Sequence, residues 1–102
     1  MRILCVKDEG YWVAVSLEYG VAAQGEDIKS ALDSFIYTFN AQVAIHVEDG
    51  DDPFKKMEPA PPLFYQMYLL AEDRDMENVE YLDIEEECTL RILDPDIGDL
   101  LR

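Results

Sequence analysis

The sequence predicts an α+β domain: a three-stranded antiparallel meander, a long helix and a further strand, with a second short helix in the crossover before that last strand. Three observations predict it. Residues 25–47 place Ile28, Ala31, Leu32, Phe35, Ile36, Phe39, Val43 and Val47 at three- and four-residue steps, the spacing of one helical face. Residues 11–17 alternate, with Tyr11, Val13, Val15 and Leu17 on one side and Trp12, Ala14 and Ser16 on the other, the period of a strand. Glycine, acid and proline clusters punctuate the chain between such runs.

Taken in order, residues 2–7 are a short apolar run closed by Asp8, Glu9 and Gly10, which predicts a buried strand and a tight turn into the strand at 11–17. Glu18, Tyr19 and Gly20 make the next turn, and residues 21–24 form a third strand leading into the long helix. At its start a glycine, Gly25, suits a tight turn, and Asp27 suits an N-cap, where a carboxylate accepts backbone N–H groups that have no helical partner. Glu48, Asp49 and Gly50 mark its end. Burying each large apolar residue of this helix contributes roughly 1.5–3 kcal/mol, so Leu32→Ala or Phe35→Ala is expected to unfold a domain of ordinary stability.

Residues 49–53 carry three aspartates, yet they lack the rest of the twelve-residue calcium-loop pattern and are read as a solvated turn. Residues 54–62 continue as linker, because Pro59, Pro61 and Pro62 forbid regular helix or central strand. Residues 63–71 are apolar and aromatic behind those prolines, which predicts the second helix. Phe64, Met67, Tyr68 and Ala71 form one stripe on it, and Leu63, Tyr65 and Leu70 fall off that stripe. Residues 72–87 are polyacidic, diluted by Val79, Tyr81, Leu82 and Ile84. Residues 88–93 alternate as the final strand, ended by Asp94, Pro95 and Asp96, and residues 97–102 are a tail or a helical turn.

Residues 10–15 (Gly10-Tyr11-Trp12-Val13-Ala14-Val15), then Gly20, then Gln24-Gly25-Glu26-Asp27-Ile28-Lys29-Ser30-Ala31-Leu32 together resemble the N-terminal domain of the HicB family of antitoxins. The shared pattern is a glycine-aromatic-valine strand, a turn ending in glycine, and a glutamine-glycine-acidic start to the long helix. The resemblance covers the first half of the chain. It implies a partial RNase H-like arrangement in which the first strand lies in the middle and the last strand joins beside it in parallel, giving the order 3-2-1-4. It also implies neutralisation of a small basic RNA-cleaving toxin. The chain differs from the family at Ser16 and Tyr19, where prolines are usual, and at Asp27, where a threonine usually caps. The family's DNA-binding segment is replaced here by an acidic half, so operator binding is not implied.

The 102 residues fit a single domain, 1–102, with one two-layer core and no cleft between domains. A formal charge of −15, from 23 acidic and 8 basic residues, works against any direct grip on nucleic acid. The same field speeds encounter with a basic protein surface. No apolar run reaches the roughly 20 residues that span a bilayer, and no signal-peptide pattern is present, so a cytoplasmic protein without membrane contact is expected. Cys5 and Cys88 lie far apart and His46 stands alone, so neither a metal site nor a cofactor is expected, and the cysteines read as thiols. The first strand has no carboxylate at its centre for a two-metal nuclease site, and Ser16, Ser30 and Ser34 have only His46 as a base, so no enzyme is expected.

These readings converge on a non-enzymatic acidic inhibitor that docks on a basic protein partner and blocks that partner's nucleic-acid access. Its electrostatic surface would be Asp75, Glu77, Glu80, Asp83, Glu85, Glu86 and Glu87, with Tyr81 as an aromatic anchor. Two alternatives share the composition. One is a phage-type anti-defence protein that imitates the phosphate array of a duplex. The other is an oligomerisation module, such as a homodimer, built on the apolar patch at residues 63–70.

Overall fold

The computed structural model describes residues 1–48, 50, 55, 57–74 and 87–97. The loop at 49–53 (Gly50 apart), Phe54, and the tail at 98–102 fall outside these residues. The described chain runs β1 (Arg2–Asp8), β2 (Tyr11–Ser16), β3 (Ala22–Gly25), α1 (Ile28–Glu48), α2 (Pro62–Leu70), β4 (Glu72–Arg74) and β5 (Thr89–Asp96). The fold class is α+β, with a mixed five-stranded sheet in the order β3-β2-β1-β5-β4. Strands β1 to β3 are an antiparallel meander, and β5 lies parallel to β1 on its other side.

Strand β1 is buried on both faces because it is central, and its alternation divides the core in two. Ile3 and Cys5 face Ala31, Phe35 and Phe39 of α1, together with Ala14, Leu90 and Ile92. Leu4 and Val6 face Met67 and Tyr68 of α2, together with Val15, Leu17 and Leu93. The two-layer expectation is therefore extended to three layers, with a helix on each face of the sheet. Helix α1 lies across β2 and β3 while α2 packs on β5. This offset explains a second difference. Leu32 is only half-buried, at the flank of the α1 contact, while Phe35 and Phe39 are fully buried and stack at 5.8 Å. Val47, in the last turn of α1, is 60% exposed.

Two further differences lie at the other side of the sheet. Glu72 and Asp73, read as the end of the second helix and the start of an acidic stretch, instead begin β4, which pairs antiparallel with β5. All of its residues are exposed, as suits a short charged edge strand that discourages edge-to-edge association. Strand β5 also does not end at Asp94. Its register against β1 shifts between Val6 and Lys7, which pair with Leu93 and Asp96, so Asp94 and Pro95 bulge out of the ladder. A proline has no N–H to donate, and a bulge is where a strand tolerates one. Beyond it, Asp96 returns to the sheet and accepts the backbone N–H groups of Glu9 and Gly10 at 2.9 and 3.0 Å. That contact fixes the β1–β2 turn, whose two residues both have positive φ.

The start of α1 has the expected cap and an unexpected reason for its glycine. Ser30 donates its backbone N–H to the Asp27 carboxylate at 2.7 Å, and Ser30 Oγ accepts the Asp27 N–H at 3.2 Å, a reciprocal capping box. Gly25 does not adopt positive φ. A β-carbon there would lie 2.3 Å from the Ala31 nitrogen and 2.4 Å from Ser30 Oγ, so the helix start needs the space.

Cys5 and Cys88 belong to neighbouring parts of the sheet, but Cys5 pairs with Ile92, four residues beyond Cys88. That separation is about 13 Å along a strand, and neither cysteine forms a disulfide. Among the described residues no helix is long and apolar enough to cross a membrane.

Candidate partner-binding surface

The acidic segment enters and leaves the fold at one edge of the sheet. Arg74 at the end of β4 pairs with Leu90 near the start of β5, so residues 75–86 connect two strands that are hydrogen-bonded at their base. Of the surface residues read from the sequence, Glu87 is described and is exposed. Asp75, Glu77, Glu80, Tyr81, Asp83, Glu85 and Glu86 lie outside the described residues. What the fold supplies is the base on which they stand.

That base is built around α2. A proline at the first helical position costs no backbone hydrogen bond, since the first-turn N–H groups have no helical acceptor, so Pro62 opens the helix directly. Met67 and Tyr68 turn inward onto β5, and Ala71 becomes extended and leads into β4. The Tyr68 hydroxyl lies 2.7 Å from Thr89 Oγ1, which ties the helix to the first residue of β5. Arg91 then crosses from β5 to both neighbours. Its Nε donates to Asp73 Oδ1 at 2.9 Å, its Nη1 donates to the Tyr68 carbonyl at 2.9 Å, and its guanidinium sits 4.4 Å from the Tyr68 ring. The cation is thus held by a carboxylate, a carbonyl and a π face at once.

A second arginine is held in the same manner on the β1 side. Arg2 donates through its backbone N–H and its Nε to the two oxygens of Glu18, at 2.8 and 2.9 Å, and lies 5.1 Å from the Tyr65 ring. The Tyr65 hydroxyl donates to the Leu17 carbonyl at 2.7 Å. The hydrogen bond to Glu18 holds the Arg2 guanidinium above its ordinary value. For Glu18, partial burial pushes the carboxyl up, but the Arg2 backbone and side-chain donors outweigh it and hold the group below its ordinary range. Both arginines on this face are therefore matched by a local carboxylate, and they do not offset the negative charge of the segment beyond. Burial pushes the Cys5 thiol up to about 12, so at neutral pH it holds its proton and is not a nucleophile.

Beside α2 the surface is apolar. Among the described residues, a groove of about 570 Å³ is lined by Leu63, Met67 and Leu70 of α2, by residues 92–95 and Ile97, and by Glu72. Leu63 and Leu70 are 44% and 77% exposed. These are residues that fell off the predicted buried stripe, and the structure puts them at the rim of this groove. The sequence signal for it was the excess of apolar residues over one helical face. That Glu72 and Asp94 adjoin this groove was not legible, because both looked like punctuation at the ends of elements.

No family model, curated protein or solved structure matches the chain.

Proposed function

We propose that the chain is a non-enzymatic acidic inhibitor: it docks on a basic protein, an RNA-cleaving toxin or another nucleic-acid-processing enzyme, and blocks that protein's access to nucleic acid. The observation that carries this reading is the charge of −15 in 102 residues, with seven of the 23 acidic residues and no basic one in residues 75–87, a segment that connects the paired strands β4 and β5. A fixed base lowers the entropy lost when the segment meets a partner, and a field of one sign raises the encounter rate with an oppositely charged surface. The HicB-like pattern of the first half supports the toxin as the partner class, and a cytoplasmic setting follows from that role. Asp75, Glu77, Glu80, Asp83, Glu85, Glu86 and Glu87 form the electrostatic face, and Tyr81 is its anchor.

Affinity capture with the full chain from lysate of the source cell, followed by identification of the bound protein, tests the reading. The expected result is a basic protein whose nucleic-acid cleavage or binding is lost on adding an equimolar amount of this chain. Capture of only acidic or neutral proteins, or a captured enzyme whose activity is unchanged, would contradict it. The same charge favours the duplex-mimicking anti-defence reading, and genome position separates the two. An adjacent short basic reading frame supports the antitoxin, and an early phage gene cluster supports the mimic.

A further inference from the structure

Three prolines stand at the entrance to α2. Proline fixes φ at 59, 61 and 62, and Glu58, Ala60 and Pro61 each precede a proline, which confines them to extended backbone. Pro61 accordingly has φ −54° and ψ 149°, in the polyproline II region. That geometry has three residues per turn, so positions 58 and 61, 59 and 62, and 60 fall on three separate edges. Ala60 is the inner edge. It is 5% exposed, and its N–H donates to the Leu17 carbonyl at 2.9 Å. Glu58, Pro59, Pro61 and Pro62, on the other two edges, are exposed. The Tyr65 hydroxyl donates to the same Leu17 carbonyl at 2.7 Å, which sets its ring beside the prolines. Among the described residues, an open hollow of about 520 Å³ is lined by Glu58, Pro59, Ala60, Pro61, Pro62 and Tyr65.

This proline ledge shares one end of the sheet with the roots of the acidic segment. The Leu17 N–H donates to the Arg2 carbonyl, and Arg2 pairs with Thr89, next to the Leu90–Arg74 pair. Resting on the inhibitor reading, we infer that Pro59, Pro61, Pro62 and Tyr65 form a second contact surface, which seats exposed aromatic side chains of the inhibited partner's nucleic-acid groove. Grooves that bind single strands carry aromatic rings for base stacking, and preformed polyproline II segments dock on aromatic rings at low entropic cost. Here that ordering is complete in the free chain, because φ is fixed and Ala60 is already bonded. The carboxylates then meet the partner's cations and the prolines meet its rings, the two groups that a strand engages with phosphate and base. Contact between two copies through this end would bring together the roots of two segments of like charge, which disfavours a second copy as the occupant.

The test uses the full chain and a fluorescein-labelled peptide of alternating tryptophan and lysine. A peptide with leucine at each tryptophan position is the comparison. Anisotropy titrations at about 150 mM salt are expected to show the tryptophan peptide binding about fivefold more tightly. Pro59→Ser with Pro61→Ser is expected to remove most of that preference, while Leu70→Ser, at the far end of α2 and 77% exposed in the wild type, leaves it intact. Serine suits the N-cap position that Pro61 occupies, so the helix start is retained. A second readout uses the wild type alone: proton spectra with the tryptophan peptide should show ring-current shifts at Pro59, Pro61 and Pro62 and none at Pro95, which lies in the β5 bulge. Equal binding of the two peptides, proline variants that bind like the wild type, or shifts at Pro95 in place of the three would overturn the inference and leave the inhibitor reading to its own capture experiment. Sedimentation showing a peptide-free dimer that the proline variant dissolves would assign the ledge to a second copy and overturn it as well.

Discussion

At Gly20 the chain accepts a glycine for two separate reasons. Its φ is +68°, a conformation that residues with a β-carbon adopt at a cost, and a β-carbon there would lie 2.2 Å from the Glu58 carbonyl oxygen. That carbonyl belongs to the linker that crosses the β2–β3 turn, where the Ala60 N–H donates to the Leu17 carbonyl at 2.9 Å. Gly20→Ala therefore forces backbone against backbone, and chemical denaturation should show a loss of about 2–3 kcal/mol. Gly10, with φ +86° and nothing within 4 Å, should tolerate alanine better in the same measurement. The sequence pattern announced both turns. It could not separate these positions, because the close approach at Gly20 comes from residues almost forty places later in the chain. Gly25 shows the same limit: the glycine was legible, and the reason for it, the crowding by Ser30 and Ala31, belongs to the folded helix start.

Among the elements, α1 was the most legible, since a helical period over twenty-one residues leaves little room for another reading. Its periodicity did not reveal which apolar residues lie under the sheet and which lie beyond it. Phe35 is fully buried against β1 and β2 neighbours and Val47 is 60% exposed, although both belong to the same stripe. Phe35→Ala is expected to cost about 3–5 kcal/mol and to leave little folded protein, while Val47→Ala should change the thermal midpoint only slightly. Leu32→Ala falls between them, because the side chain is at the flank of the contact. Strand β4 was not legible at all. Glu72-Asp73-Arg74 has no alternation and no apolar residue, so its strand form depends on pairing with β5 and on the Arg91–Asp73 bridge. The continuation of β5 past Pro95 was hidden for a similar reason, since only the partner strand reveals that the proline occupies a bulge.

For the whole molecule the dominant quantity is charge. In most of the chain like charges repel, and folding brings specific pairs into contact against that background. Glu18 is the described carboxylate most firmly held by an arginine, through both a backbone and a side-chain donor. Its folded value lies below its unfolded one, so the unfolded chain binds more protons in that window and stability rises with pH there. The contribution is complete above the ordinary glutamate value, about 4.3, and is lost as pH falls through the lower folded value. Comparing the wild type with Glu18→Gln by denaturation across pH 3 to 7 should therefore show a stability gap near neutrality that closes at the acid end. A gap that is constant with pH would mean that the Arg2–Glu18 contact contributes through packing alone.

The proposed inhibitor role rests on the acidic composition, and the described fold shows only the paired strands β4 and β5 that residues 75–86 connect. The measurement that bears most directly on that role is a titration of the captured basic partner with the wild type and with a triple charge reversal, Glu80→Lys, Asp83→Lys and Glu86→Lys. Run at about 50 mM and about 300 mM salt, it should show the wild type binding more weakly as salt rises. The reversed chain should be weaker by tenfold or more at low salt, with the two chains converging as screening increases. Equal affinity of the two chains at both salt concentrations would contradict an inhibitor that acts through its acidic surface.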